Sequence, residues 1–391
     1  MEQVGDTPLD QVEAKERLDS TTAMDESETS NRLHSTPTTT YSHLSPTEAR
    51  RLAHDILHGN GVSSQHAALI AQCLVAADLR GVDSHGINRL PSYMSRIRNR
   101  VLDATASPTL TQTTPVVAHV DAHNGFGFVA AHTAMHAAIA SAQVYGIGMA
   151  SVSHSNHFGM SAWLVRLALD HDMMSLVFTN SSPALPAHGG TDKLLGVSPI
   201  ACGAPGRNGE SDLVLDMAPS VAARGKIYKA LRRQEDIPPG WALDAHGCPT
   251  TDAQAALQGV MLPMGGPKGS GLAIMMDVFS GVLSGAAFAG NVTNPYDASR
   301  PANVGHFLVA IKPDLFMPLD EFRDRMQYLY ERVVGSAKMQ GVDRIYFPGE
   351  IERLTEAERT KSGIPLVAAE IDALNAEAAR VGAAPLHLLS K

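Results

Sequence analysis

Hydrophobic and polar positions along this chain repeat with two different periods, and each change of period marks an element boundary. From Gly146 the run GMASV is an apolar strand, WLVRLALDHDM carries apolar residues at helical spacing, and MSLVF is a second strand. The polar clusters SHSNHFG and TNSSP therefore each fall just after a strand. Upstream, the S-P-T-E string at Ser45 supplies an N-cap serine, a proline at the first helical position and a glutamate three residues on. The periodic ARRLAHDIL follows, and Gly59 and Gly61 end that helix. A second helix opens at Ser63 or Ser64 and carries AALIAQCLVAADL to Arg80, where RGVDSHGINRLPSY breaks the pattern.

Between Thr105 and Ala130 the signals are those of strands and turns, in TPTLTQ, VVAHV and DAHNGFG, and a helix then runs through AAHTAMHAAIASAQVYG to Gly146. Beyond the central stretch the pattern predicts the strand DLVLDMA, a helix from Pro219 through VAARGKIYKALRR, and the helix LAIMMDVFSGVLSG. The strand HFLVAIKP, the helix LDEFRDRMQYLYERVVGSA and a C-terminal helical segment, VAAEIDALNAEAARVG, complete the alternation. Alternating strands and helices argue for an α/β protein, and strands joined by loops predict mixed or antiparallel pairing. In such folds ligands bind at strand ends, which draws attention to the polar clusters.

Composition narrows the function classes. With 391 residues, 44% of them hydrophobic, there is ample material for a core. Residues 1–41, rich in Ser, Thr, Asp and Glu, are too polar to offset the entropy of ordering and are expected to form a disordered tail. A net charge of -9 with scattered basic residues argues against tracking nucleic-acid phosphates. No apolar run reaches the roughly 18 residues of a membrane span. Cys73, Cys202 and Cys248 lie far apart, which excludes a recognisable zinc ribbon or disulfide framework and suits a reducing compartment, with the cytoplasm as default.

Several motifs bear on chemistry. Gly125, Gly127 and Ala130 form a G-x-G-x-x-A string, but no acidic residue ends a second strand about 20 residues later, so a Rossmann fingerprint is not supported. His132 and His136 stand at i, i+4 on a helix, a spacing that can chelate a metal, yet the local pattern lacks a third ligand. GGPKGSG has Gly269 directly after Lys268 where a Walker A loop needs Ser or Thr, leaving a turn that brings amides and one ammonium towards an anion, or a surface lysine. Arg89 offers a planar fork for a carboxylate, in a loop with Ser84, His85 and Tyr93, or else is an ion-paired structural arginine. His157, beside Asn156 and Gly159, can exchange a proton near neutral pH or be a core histidine, and His154 reads as structural or supporting.

Taken in order, RGVDSHGINR, SHSNHFG, TNSSP, LLGVSPIACGAP, LDMAPSVAARGKI, GWALDAHGCPTTD and GGPKGSGLAIMMDVFSGVLSGA resemble the malate/L-lactate dehydrogenase family of the L-sulfolactate dehydrogenase-like fold, which includes ureidoglycolate dehydrogenase and cyclic imino-acid reductases. The resemblance spans Leu44 to about Glu350. It implies a non-Rossmann NAD(P)-binding α/β fold with a mixed, largely antiparallel sheet. A helical lobe of residues 42–115, joined by 300–391, would flank a nucleotide-binding domain of residues 116–299. It implies hydride transfer between NAD or NADP and a small 2-hydroxy or 2-oxo acid such as malate or lactate, in a homodimer. The alternatives on the same fold are an NADPH-dependent cyclic imino-acid reductase and a ureidoglycolate or sulfolactate dehydrogenase. A metal-dependent hydrolase and a non-catalytic nucleotide-binding protein are the readings from other classes. By the same resemblance His157 is the proton acceptor, Ser84 and His85 lie beside the substrate, and Arg89 holds its carboxylate. Ser181, Asp216, Met217, Ala218, Lys268, Arg325, Met326 and Gln327 match cofactor-contact positions. Two departures stand out: Ser198 replaces the asparagine of the family's common GTNP, and PKGS stands where HKGY is frequent.

Overall fold

The computed structural model describes residues 40–389, so residues 1–39 of the expected tail lie outside the described residues. The chain opens with β1 (Ser42–Leu44), α1 (Pro46–Gly59), α2 (Ser64–Leu79) and, after two short 3₁₀ turns, α3 (Leu90–Arg98). The hairpin β2 (Thr109–Thr114) and β3 (Val117–Asp121) leads to α4 (Gly127–Tyr145), β4 (Ile147–Ser155), α5 (Ser161–Leu169) and β5 (Met174–Thr179). Short strands follow: β6 (Pro183–Leu185), β7 (Leu195–Gly196), β8 (Ile200–Ala204) and β9 (Leu213–Met217). Then come α6 (Arg224–Arg233), β10 (Ala242–Leu243), β11 (Pro249–Thr250), α7 (Ala253–Gln258), β12 (Val260–Met261) and α8 (Pro267–Asp277), which continues as a π-helical turn over Val278–Val282. The chain closes with β13 (Val304–Ile311), α9 (Leu319–Val334), α10 (Glu350–Ser362), β14 (Ile364–Leu366) and α11 (Ala368–Arg380).

The local signals act as physical chemistry requires. The Ser45 hydroxyl accepts the Glu48 N–H at 3.2 Å and Ser63 accepts the His66 N–H at 3.2 Å, so both N-cap serines satisfy an otherwise orphaned donor. The helix expected from Pro219 begins instead at Arg224. The backbone before it is engaged elsewhere, because the Val221 N–H donates to Leu262 O and the Met264 N–H to Pro219 O. Among the described residues no helix is long and apolar enough to cross a membrane.

The central sheet has the order β2-β3-β4-β13-β5-β8-β9, and only its β3–β4 pairing is parallel. The mixed, largely antiparallel α/β architecture expected from the sequence is the one observed. One expectation is corrected. The segment 300–391 was assigned to the helical lobe, yet its strand β13 is the middle strand of the sheet, with His306 opposite Val152 on one side and Thr179 on the other. Its residues are buried along nearly the whole strand, which suits a strand flanked by two neighbours and covered on both faces. Alternate residues face opposite ways. Leu308 and Ala310 join the main core with α4, whereas Phe307 and Val309 pack with Met276 of α8. Emptying this core is costly: Phe128→Ala would lose about 3–5 kcal/mol.

Candidate active site

The site forms where the chain leaves β4, β5 and β9 and meets the start of α3. A cavity of ≈ 670 Å³ opens there, lined by Ser84, His85, Arg89, Tyr93, His157, Ser181, Asp216, Met217 and Ala218 among others. The turn that carries Ser84 to Arg89 is fixed from below by Asp78, whose buried carboxylate accepts the Ile87 N–H at 2.9 Å. Gly86 is required at this point, since a Cβ there would overlap that carboxylate. The segment after β4 is pinned through Asn156, whose side-chain amide donates to the carbonyls of Gly125 and Asn124 at 2.9 and 3.0 Å. Gly127 lets the first turn of α4 press directly on the backbone of Asn156 and His157. The glycines of the G-x-G-x-x-A string thus serve close packing beneath the site, and the positive end of α4 lies against the His157 segment.

Within this frame the Tyr93 hydroxyl stands 2.8 Å from His157 Nδ1, and the Gly159 amide nitrogen lies 3.2 Å from the same atom. A phenol can donate to Nδ1 or accept from it, so it serves both protonation states of that nitrogen. No protein partner for Nε2 occurs among the described residues, which leaves that nitrogen for a ligand. The His85 ring stacks on His157 with centroids 5.3 Å apart. Burial, then the charge of Arg89 and the neighbouring His85 and His306, holds the His157 pKa well below the ordinary histidine value. A neutral imidazole is therefore the resting form, as a proton acceptor requires. His85 is likewise pushed down to about 3, by burial and then Arg89.

Arg89 is held without a carboxylate partner. Its Nε donates to Ser84 O at 2.5 Å, its guanidinium lies 4.8 Å from the centre of the Tyr296 ring, and its buried Nη1 has no hydrogen-bond partner. An unpaired buried guanidinium nitrogen is expensive, so this edge is built for an anion. Among the other lining residues the Ser181 hydroxyl is also buried and unpaired, whereas Ser198, fully buried with its hydroxyl unpaired, lies outside the lining. The Asp216 carboxylate accepts the Ala162 N–H at 2.8 Å and, although solvent reaches it through the cavity, the surrounding walls push it up to about 6. This wall offers unsatisfied polar atoms to a ligand of dinucleotide size, and the residues present fit a nicotinamide dinucleotide.

A sequence model of the malate/L-lactate dehydrogenase family matches residues 44–375. The chain belongs to this family. It is 36% identical over 323 residues to a malate/(S)-sulfolactate dehydrogenase of Methanothermus fervidus, covering 83% of this chain and 93% of that protein. It is 34% identical over 308 residues to the ureidoglycolate dehydrogenase (NAD(+)) of Escherichia coli K12, covering 78% and 87%. Among solved structures, the sulfolactate dehydrogenase from Methanocaldococcus jannaschii superposes with a TM-score of 0.82 at 34% identity, covering 87% of this chain and 98% of that one.

For this member of the malate/L-lactate dehydrogenase family, the fold brings together eight of the residues singled out from sequence: Ser84, His85, Arg89, His157, Ser181, Asp216, Met217 and Ala218. Four others it does not bring. Lys268 is exposed in the first turn of α8 and does not line the cavity. Arg325 and Gln327 pair with Glu321 and Glu331 along α9, each one helical turn away, while Met326 is buried and shares an apolar cluster with Ala204 and Phe347. Helix α9 thus contributes packing and surface ion pairing rather than a cavity wall. His154 is exposed and bonded to Asp121 at 3.1 Å. His132 and His136 face each other at 3.0 Å on α4, and the described residues hold no group of three side chains able to bind a metal. The partnership of Tyr93 with His157 was missed, although Tyr93 lies one helical turn after Arg89 and that spacing was available as a signal. His306 was missed too: it is fully buried, bonded to Thr179 Oγ1 at 2.7 Å and Ser155 Oγ at 2.8 Å, and pushed down to about 3 by burial.

Proposed function

We propose that the chain is an NAD(P)-dependent oxidoreductase that interconverts a small 2-hydroxy acid and its 2-oxo acid, with His157 as proton acceptor and donor. The carrying observation is the buried, unpaired Nη1 of Arg89 beside a neutral His157 in one cavity. Ser181, Asp216, Met217 and Ala218 would hold the dinucleotide, NAD(+) or NADP(+), the two cofactors carried in the names of the family's dehydrogenases. When bound, that group accepts or supplies the hydride at the substrate carbon. The protein's own part is to hold and to move a proton. Arg89 receives the carboxylate through two parallel hydrogen bonds and so fixes which face of the substrate carbon is presented. His157 Nε2 takes the hydroxyl proton in oxidation and returns it in reduction, a contribution of ~10²–10⁴-fold. For Nε2 to accept, the neutral ring carries its proton on Nδ1, and the Tyr93 oxygen accepts from Nδ1–H in the neutral and the charged ring alike. Arg89 also links binding to protonation. Its charge is the second cause of the low His157 pKa, so a carboxylate that neutralises it raises the proton affinity of His157 when the acid is needed.

A cyclic imine carboxylate, reduced with the same acid, is the second reading. It is favoured by the same unpaired Arg89 edge and by the likeness to a Δ1-piperideine-2-carboxylate reductase structure. A spectrophotometric screen of 2-oxo acids, including malate and sulfolactate precursors, and of cyclic imines, each with NADH and NADPH, tests both. Turnover of none of them overturns the proposal. Exposed Ile274, Val278, Val282 and Leu283 follow one another along α8, its continuation and the residue after it, with exposed Phe288 a few residues on, and such an apolar face supports the homodimer reading. Unpaired Cys73, Cys202 and Cys248 support a reducing, cytoplasmic setting.

A further inference from the structure

Arg89 has one face covered, and the cover is itself anchored. The segment between the π-helical turn and β13 folds back over the mouth of the cavity at Asn294, Pro295 and Tyr296. Its backbone is gripped by Arg96, which is 1% exposed and whose guanidinium donates to the carbonyls of Asn294, Asp297, Arg300 and Val101. A buried cation without a carboxylate is tolerable only when its donors are filled, so these carbonyls on both sides of Tyr296 are drawn to a fixed point. Local turns complete the loop, with the Tyr296 N–H donating to Asn294 Oδ1 at 2.9 Å and the Asp297 N–H to Asn294 O at 2.9 Å. Arg96 lies seven residues after Arg89, two helical turns on, so the arginine that grips the loop and the arginine that faces the ligand share one side of α3.

We propose that Tyr296 is a positioning residue for the substrate carboxylate, acting through Arg89. Its ring lies 4.8 Å from the guanidinium carbon although the residue is 67% exposed, an unusual place for an aromatic side chain unless the cation below it matters. A ring on the flat face leaves the in-plane N–H groups free, and Ser84 O already holds Nε. What remains is the end of the fork, where no hydrogen bond among the described residues holds Nη2 and the buried Nη1 has no protein partner, on a residue that lines the cavity. The loop therefore determines the angle at which Arg89 meets a carboxylate, and so the affinity for the acid rather than the rate of the chemical step.

This inference rests on the reading of Arg89 as the carboxylate holder, and the test separates the two. Wild type, Tyr296→Phe and Tyr296→Leu are compared by calorimetric titration with oxalate, by fluorescence titration with NADH and NADPH, and by KM and kcat on the best 2-oxo acid or imine. Tyr296→Phe, which keeps the ring, is expected within about twofold of wild type. Tyr296→Leu is expected to weaken oxalate binding and raise KM about 5–30-fold, with kcat within about threefold and dinucleotide affinity unchanged. In an Arg89→Lys background the same leucine substitution should add far less, as coupled neighbours require. Unchanged oxalate affinity in Tyr296→Leu, an equal loss in Tyr296→Phe, or full additivity with Arg89→Lys overturns the role of Tyr296 and leaves the function untouched. Oxalate binding without turnover of any acid or imine overturns the function while Tyr296 is still judged on oxalate. No oxalate binding by wild type overturns both.

Discussion

Two histidine pairs in this protein each bring two imidazole rings side by side, and they differ in everything that makes chemistry. His132 and His136 are one helical turn apart on α4, their Nε2 atoms 3.0 Å apart, with half-buried His132 stacked on buried Trp163. His85 and His157 lie on either side of three strands and two helices in sequence, yet their rings stack at 5.3 Å inside the cavity. Both pairs contain a ring with a depressed pKa: His132 is pushed down to about 4 by burial and then by His136. A depressed pKa therefore does not distinguish them. What distinguishes them is the company kept: His157 has Tyr93 on one nitrogen, no protein partner on the other and an unpaired arginine edge nearby, whereas His132 and His136 have each other.

The sharpest way to break this contrast is to remove one ring from each pair. His157→Ala is expected to lower kcat by ~10²–10⁴-fold with dinucleotide binding retained; near-normal turnover would mean that the cavity pair is as inert as the surface pair. Arg89→Lys keeps the charge and loses the fork, and should lower kcat/KM about 100-fold, mostly through KM, in steady-state assays. A smaller effect is expected from acid. His306 titrates near 6.5 when unfolded and at about 3 in the fold, so the native state binds fewer protons between these values and stability falls as pH drops through that window. The slope reaches about 1.4 kcal/mol per pH unit from this residue. Denaturant unfolding at several pH values should show it, and His306→Gln should flatten it whatever its effect at neutral pH.

Tyr93→Phe should cost about tenfold in kcat by leaving Nδ1–H without its acceptor, and should move the acidic limb of the pH–rate profile. An unmoved profile would reduce Tyr93 to a packing residue. At the small end, His132→Ala and His136→Ala should each leave activity within about twofold, and a chelator should have no effect. Loss of activity on chelation would revive the hydrolase reading and make α4 the functional region.

The sequence was informative where the cause is local. Caps at Ser45 and Ser63, strand periods and the polar clusters after β4 and β5 depend on residues within a turn or a pleat, and they were found with nearly correct limits. The family resemblance supplied eight cavity residues, because motifs such as SHSNHFG keep a local shape. Four others do not line the cavity. Whether Lys268 or Arg325 reaches the cavity depends on how α8 and α9 pack, and no spacing within either helix encodes that. Ser198 illustrates the limit in another way: its departure from the family pattern was visible, but not that its hydroxyl would be buried and unpaired.

By itself, then, the sequence determined the elements and the α/β class, because periodicity and capping act over a few residues, and its motifs singled out His157 as a candidate. The tertiary structure decided that β13 lies in the middle of the sheet, that Tyr93 holds His157 across 64 residues of chain, and that Tyr296 covers Arg89. These are contacts between segments remote in sequence. They exist because burying the core brings those segments together, and only then do an imidazole, a phenol and a guanidinium lie close enough to change one another's protonation and aim.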